Sequence, residues 1–498
     1  MNLLRVNLEH LRHARICSAF PRRWFCVVGF SLLTSCSLAP VYQVPVTNLS
    51  GDAWKDSPWQ PAQPGDQLSR GSWWQVYQDG MLNDLESKIE EASPNLAAAL
   101  ARYDQATAYL NQLNAGLFPS VDAGALATRN RQSDNRPLRG ANQPNVYDAN
   151  TVGISAYYEL DIWGKVRNEV AAGKAYAQAS AADLENVRLS LHAQLADYYF
   201  RLRGVDQQAE LLNDTVNAYA SALKLTQNRH EGGVVSGVDV ARAETQLSSV
   251  RAEIAGLASQ RAGYEHAIAS LIGQPAMNFS LPLVANKYDI PTIPTGIPST
   301  LLQRRPDIAA AERRTAAANA AIGVARAAYY PDFSINPGLG YQNTGKARLL
   351  TAPNSFWTLG PGVVFNLFDA GLRDAEVAQA KASLELAGAE YRAVVLTAFQ
   401  QVEDDLANLK YDRDGEADQR IAARSASRTL DLVLNRYREG AVNYLDVVTA
   451  QAAALSAERS ALDLHTRQLR TSVDLVRALG GGWVQEQEQN SVITSPSK

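Results

Sequence analysis

The chain's 498 residues carry 47 Lys and Arg against 51 Asp and Glu, a formal charge of -4 at pH 7, and 46% of them are hydrophobic. Mean hydropathy is -0.22, and no apolar run reaches the ~18 residues of a membrane-spanning helix, which excludes a polytopic helical membrane protein. The near-neutral charge leaves no basic footprint for nucleic acid. The three cysteines, Cys17, Cys26 and Cys36, all fall in the first 36 residues, and the histidines have no metal-binding spacing, so neither a disulfide framework, a zinc site nor any cofactor is expected.

The first 35 residues read as a secretory leader. Arg22 and Arg23 precede an apolar stretch from Trp24 to Leu33, followed by Thr34, Ser35 and Cys36. A cysteine after a Leu-small-Ser run resembles a bacterial lipobox, whose Cys becomes the acylated N-terminus; an ordinary signal with a chance cysteine is the alternative. Two or three acyl chains anchor firmly where one does not. Ser37 follows where an Asp would retain a lipoprotein at the inner membrane, which points to the outer membrane.

Proline punctuates the rest. None falls between Pro144 and Pro275 or between Pro361 and Pro496, and two such stretches suggest two copies of one helical unit. Pro94-Asn95-Leu96-Ala97-Ala98-Ala99 returns 212 positions later as Pro306-Asp307-Ile308-Ala309-Ala310-Ala311. Further on the displacement is 207: Glu169-Val170-Ala171, Arg229, Gly233, Asp239 and Gly273 match Glu376-Val377-Ala378, Arg436, Gly440, Asp446 and Gly480. The expected organisation is a leader (1–35), an N-terminal anchor and belt segment (36–83), a first repeat (84–273), a linker (274–298), a second repeat (299–480) and a tail (481–498). Each repeat holds a β-hairpin (about 120–160 and 332–367) and a very long helix (about 164–231 and 371–438). A helix of ~68 residues is a rod of ~100 Å. Gly204, Gly388 and Gly415 are expected to interrupt these rods.

The hairpins alternate. Val152, Ile154, Ala156, Tyr158 and Leu160 face one way in the first; Phe333, Ile335, Leu339 and Tyr341, and then Trp357, Leu359, Pro361 and Val363, do so in the second. Small or polar residues separate them, as in a transmembrane β-barrel, although half-buried sandwich strands read alike. In the first strand, from Val121 to Arg129, alanine holds most outward positions. Four strands cannot close a barrel, and open edges in lipid are costly. Either the sheet is not in a membrane or several protomers share one barrel.

This order of elements resembles the TolC-like outer membrane factors of tripartite efflux systems, in particular their NodT-type lipoprotein branch. The resemblance rests on Cys36-Ser37-Leu38-Ala39-Pro40-Val41-Tyr42, Arg304-Arg305-Pro306-Asp307-Ile308, Phe365-Asn366-Leu367-Phe368-Asp369-Ala370-Gly371 and Arg436-Tyr437-Arg438-Glu439-Gly440. It implies a mainly α protein with a small β part, built on the duplicated helix–hairpin–long helix–helix unit. Three such chains would form a trimeric α-helical barrel capped by a shared 12-stranded transmembrane β-barrel. It also implies a non-enzymatic duct for small toxic compounds or drugs in the outer membrane of a Gram-negative bacterium, anchored through acylated Cys36. A periplasmic adaptor and an inner-membrane RND-type pump would be its partners. Type I protein export, or a non-conducting helical scaffold, are the alternatives.

The resemblance places the periplasmic gate at Leu445, Asp446 and Asp239, and tip latching and adaptor docking at Arg229, Gly233, Arg436, Tyr437 and Gly440. Arg229 and Arg436 are expected to pair with the tip carboxylates; alternatively Asp239 and Asp446 simply cap the helices that start there. Some family members carry a further acidic residue where Thr449 stands here. Other signals are set aside. Gly340 to Lys346 lacks the P-loop's terminal Ser or Thr, with Ala347 in its place. Glu403-Asp404-Asp405 reads as a solvated or lumen-facing patch, and His192, His230 and His266 as structural. Trp54, Trp59, Trp73 and Trp74 are expected to pack in the belt.

Overall fold

A computed structural model of the protein describes residues 37–44, 71–135, 144–291, 293, 304–345 and 348–481. Cys36, the leader, Trp54, Trp59, Lys346, Ala347 and the tail from 482 lie outside the described residues.

After a 3-10 turn (Trp73–Tyr77), helix α1 (Gly80–Ala92) starts where the Asp79 carboxylate accepts the Leu82 N–H at 3.0 Å. It lies partly inside the segment assigned above to the belt. Helix α2 (Pro94–Ala115) opens on proline, whose missing N–H is not needed in a first turn. Strands β1 (Ser120–Arg131) and β2 (Val146–Glu159) follow, then α3 (Lys165–Glu231) and α4 (Gly237–Leu271). The second repeat retraces this course: α5 (Pro306–Ala327), a second set of strands, α6 (Leu372–Arg438) and α7 (Tyr444–Ala478). Equivalent helices have 22, 67 and 35 residues in both copies. The 67-residue pair are continuous rods of about 100 Å. Gly204, Gly388 and Gly415 do not interrupt them. Gly204 instead serves close packing, since a Cβ there would stand 2.7 Å from the Thr466 hydroxyl.

Each repeat closes on itself through one contact. Gly273, at φ +68°, lies so near the start of the first repeat that a Cβ would sit 2.2 Å from the Ala92 carbonyl oxygen. Its equivalent Gly480, at φ +86°, would place one 2.8 Å from the Arg304 oxygen, 212 positions beyond Ala92.

Strand β4 (Gly338–Thr344) continues β3 (Asp332–Ile335) past Pro337, and β6 (Pro361–Val364) continues β5 (Ser355–Thr358). The result is four antiparallel strands in the order β1, β2, β3/β4, β5/β6. The register puts Val121, Ala123, Ala125, Ile154, Ala156, Leu339 and Trp357 on one face. Asp122, Gly124, Ser155, Gly153, Gly340 and Thr358 take the other. The outer edges of β1 and of β5/β6 pair with nothing among the described residues.

The main core is not at the sheet but midway down the rods. Leu195, Tyr199, Phe200 and Leu202 of α3 pack there with Leu82, Leu85 and Ile89 of α1, Ile268 of α4 and Val473 and Val476 of α7. The linker is stapled to this level by buried Asp206. Its carboxylate accepts from Arg203 Nη1 (2.9 Å), Arg261 Nε (2.7 Å) and the Val284 N–H (3.2 Å). Trp73 joins the core and Trp74 packs against it.

Candidate functional site

The end of the molecule farthest from the sheet is made by two turns that repeat one another. The α3–α4 turn closes with Gly233 N–H on the His230 oxygen and Val234 N–H on the Arg229 oxygen; the α6–α7 turn has Gly440 on Tyr437 and Ala441 on Arg436. Gly233 and Gly440 sit at φ +76° and +82°, left-handed values that glycine adopts without a Cβ clash.

The backbones match but the side chains do not. Arg229 swings across to the other turn, with its guanidinium 4.8 Å from the centre of the Tyr437 ring and Nη1 donating to the Tyr437 carbonyl. The Tyr437 hydroxyl lies 3.3 Å from Thr226 Oγ1, and its ring meets Tyr444 edge to face at 5.3 Å. Tyr437 and Tyr444 are both 2% exposed. Burial pushes the Tyr444 hydroxyl up to about 12. With Ala243 and Val447 they form a small apolar core fastening one hairpin to the other.

The expected ionic latch is therefore not what a single chain makes. Arg229 binds a ring and a carbonyl, because Tyr437 fills the space it faces. Arg436 is exposed and has no ion pair among the described residues. Asp239 pairs instead with Arg242 at 3.4 Å, on its own helix.

Neither aspartate caps its helix. Asn443 caps α7, its side chain accepting the Asp446 N–H at 3.1 Å, and Ser236 holds the corresponding position before Asp239. Both carboxylates occupy the third residue of a helix, where the macrodipole favours negative charge. The side chains of Leu445, 47% exposed, and Asp446 project from the first turn of α7, and the Asp446 carboxylate has no partner among the described residues. Tyr444, Thr226, Asn443 and Arg242 are the tip residues that sequence reasoning missed. Asn443 carried a signal, an Asn three residues ahead of Asp446 at a helix start.

A second titratable cluster lies at the mid-rod core. His192, 4% exposed, places Nδ1 2.7 Å from Glu86 Oε2 and Nε2 3.1 Å from Glu90 Oε1, with Trp74 stacked on its ring at 4.5 Å. Burial pushes the fully buried Glu86 carboxyl up to about 7, even though His192 pulls it down. Burial lowers His192, but the bonds and charges of Glu86 and Glu90 outweigh it and raise the imidazole overall. Of the Glu403-Asp404-Asp405 run, Asp405 is only partly exposed; burial and the nearby Asp474 carboxylate push it up to about 7.

Gly340 lies in strand β4, not at the head of a helix, which removes the P-loop reading. No group of His, Cys, Asp or Glu fit to hold a metal occurs among the described residues.

A four-stranded amphipathic sheet standing on two 100 Å rods, with paired turns at the far end, defines a membrane-seated helical duct. Residues 85–274 and 297–481 match the family described as Outer membrane efflux protein, and the chain belongs to that family. It is 30% identical over 462 residues to the toluene efflux pump outer membrane protein TtgC of Pseudomonas putida, across 92% of this chain and 95% of that one. It is 31% identical to the pyoverdine export outer membrane protein OpmQ of Pseudomonas putida, across 93% and 98%. Among solved structures, the outer-membrane channel OprN superposes with a TM-score of 0.81 at 28% identity, covering 90% of this chain and all of that one. The protein is an outer membrane efflux channel, a transport duct rather than an enzyme.

Proposed function

We propose that three copies of this chain pool their sheets into one twelve-stranded barrel and their helices into a periplasmic duct that exports small organic compounds. The unpaired outer edges of β1 and β5/β6 carry this reading. Each unpaired backbone group in hydrocarbon costs several kcal/mol, and closing the sheet on neighbouring copies removes that cost. The gate lies at Leu445 and Asp446, three copies of which make an apolar and acidic constriction near the axis. Adaptor docking falls on the two tip turns, with Gly233 and Gly440 at their apices and Arg436 exposed beside them. The relatives named for toluene and pyoverdine support small organic cargo, delivered by an RND-type pump through a periplasmic adaptor.

An acyl anchor at Cys36 fits the path of the residues that follow it. Ser37 Oγ donates to Asn168 one turn into α3, Arg326 donates to the Leu38 carbonyl, Asn319 to that of Pro40, and the Tyr42 hydroxyl to Glu312 at 2.6 Å. The strap therefore runs down α5 away from the sheet, with Ser37 at the membrane end, where acyl chains on the preceding residue have a bilayer to enter.

A single cysteine at the exposed tip, Ala441→Cys, carrying a photo-crosslinker in whole cells, tests the docking. Capture of the adaptor of a proton-driven drug pump is the expected result. Capture of a type I secretion adaptor would move the cargo to proteins, and capture of neither would overturn the tip assignment.

A further inference from the structure

The apolar face of the sheet ends abruptly. Along the last strand Trp357, Pro361 and Val363 fall on one side, and the alternation of the sequence continues through Phe365 and Leu367. On β1 the same face carries Val121, Ala123, Ala125 and Ala127, and then Arg129 and Arg131. Both arginines are exposed, at the end of the sheet remote from the helices.

A cation on the lipid face costs about 2–4 kcal/mol at the midplane and about 0–1 near the interface, so two arginines that follow the last apolar position of their own strand, Ala127, stand beyond its apolar stretch, on the headgroup side. The other charge on this face of the strands is Asp148, directly across from Arg129. No ion pair joins it to either arginine among the described residues. Asn150 and Asn343, beside them on the same face, are tied to each other by a 3.1 Å hydrogen bond. Two guanidiniums two residues apart, with no ion pair among the described residues, present planar donor forks matched to phosphate.

We propose that Arg129 and Arg131 bind the phosphate groups of the outer-leaflet glycolipid, lipopolysaccharide, fixing the depth and rotation of the barrel in the outer leaflet. The proposal rests on the sheet spanning the outer membrane, with residues 131 and 146 at its external end. Closing β1 against a neighbour uses the strand's edge and leaves this face free.

The test compares the full-length protein with Arg129→Gln/Arg131→Gln, both purified in neutral detergent and stripped of lipopolysaccharide. Conductance in a planar bilayer confirms that each forms the channel; a wild-type protein without conductance would overturn the barrel reading itself. Added lipopolysaccharide is expected to raise the wild-type thermal midpoint by several degrees and that of the double variant by less than half as much. Arg129→Lys/Arg131→Lys should restore part of the shift, and dephosphorylated lipopolysaccharide should give none. Equal shifts in wild type and the Gln variant would overturn the proposal. A shift reproduced by inorganic phosphate or phosphatidylglycerol at matched concentration would do the same, marking a site for any anion.

Discussion

Helices α3 and α6 are equivalent in the duplication and equal in length, yet one is covered and the other bare. Leu189 of α3 is 5% exposed and its equivalent Leu396 of α6 is 46% exposed; Ala179 is 1% exposed and its equivalent Leu386 is 61% exposed. The cause is position. Within one chain α3 packs against α2, α4, α5 and α7, while α6 is the last helix of the wall beside the sheet's open edge. Duplication copies the rod but not its surroundings, so Leu386, Leu396, Ile421 and Leu432 stay exposed in the single chain, on the face that a second copy would cover in the proposed trimer. The same asymmetry separates His192, held by two glutamates, from its equivalent Phe399, which packs on an apolar cluster.

The sharpest way to break the likeness of the two halves is at their closing glycines. Gly273→Ala forces a Cβ onto the Ala92 oxygen at a positive φ, where relief requires the backbone to move. It should cost upward of about 3 kcal/mol and leave little folded protein in the membrane fraction. Gly480→Ala, with its looser contact, should cost less, and equal yields of the two variants would contradict the packing.

Next comes the covered-versus-bare contrast itself. Leu189→Ala should cost about 2–4 kcal/mol of fold stability in denaturant titrations. Leu396→Ala should leave the chain's own fold nearly unchanged while loosening the assembly, read as dissociation to monomers at lower detergent or heat. An assembly unchanged by Leu396→Ala would mean that no second copy covers this face of α6.

The third probe is pH. Glu86 is raised from 4.5 to about 7 and His192 is raised above 6.5, so both bind protons more tightly folded than unfolded. For Glu86 the folded state keeps a proton the unfolded state has lost between about pH 4.5 and 7, and stability falls as pH rises through that window. The His192 contribution is fully present below about 6.5 and is lost as pH passes its raised value. Thermal midpoints should therefore drop between pH 5 and 8. Glu86→Gln should flatten that slope by about 1–3 kcal/mol over the range, whereas Glu439→Gln, at the exposed tip, should leave it alone. A slope unchanged in Glu86→Gln would refute the assignment.

The smallest effect separates the two tip arginines. Arg229→Ala removes the contact with the Tyr437 ring, worth about 0.5–1 kcal/mol, and should raise single-channel conductance by freeing one hairpin from the other. Arg436→Ala should stay within about 0.5 kcal/mol of wild type. The reverse order would restore the ionic latch.

Much of this architecture was legible from the residues. Pro94 and Pro306 mark equivalent helix starts because proline suits a first turn, and the unbroken displacement of 207 required equal rods. Strict alternation over Trp357 to Val363 marked one apolar face, since the side-chain period of a strand is two. The positions of Gly233 and Gly440 predicted the tip turns for the same reason, local backbone geometry that a few neighbouring residues dictate.

What only the tertiary structure decided depends on residues distant in sequence. The destination of Arg229 was set by Tyr437, on a helix 208 positions away, and the charge state of Glu86 by His192, 106 away. Gly204 was needed for contact with Thr466, not to break a helix. Periodicity and punctuation fix each rod and its ends, because those are sums of local preferences. Which face is covered, and which charge finds a partner, follows from the angle and register at which the rods pack, and these are properties of the whole fold.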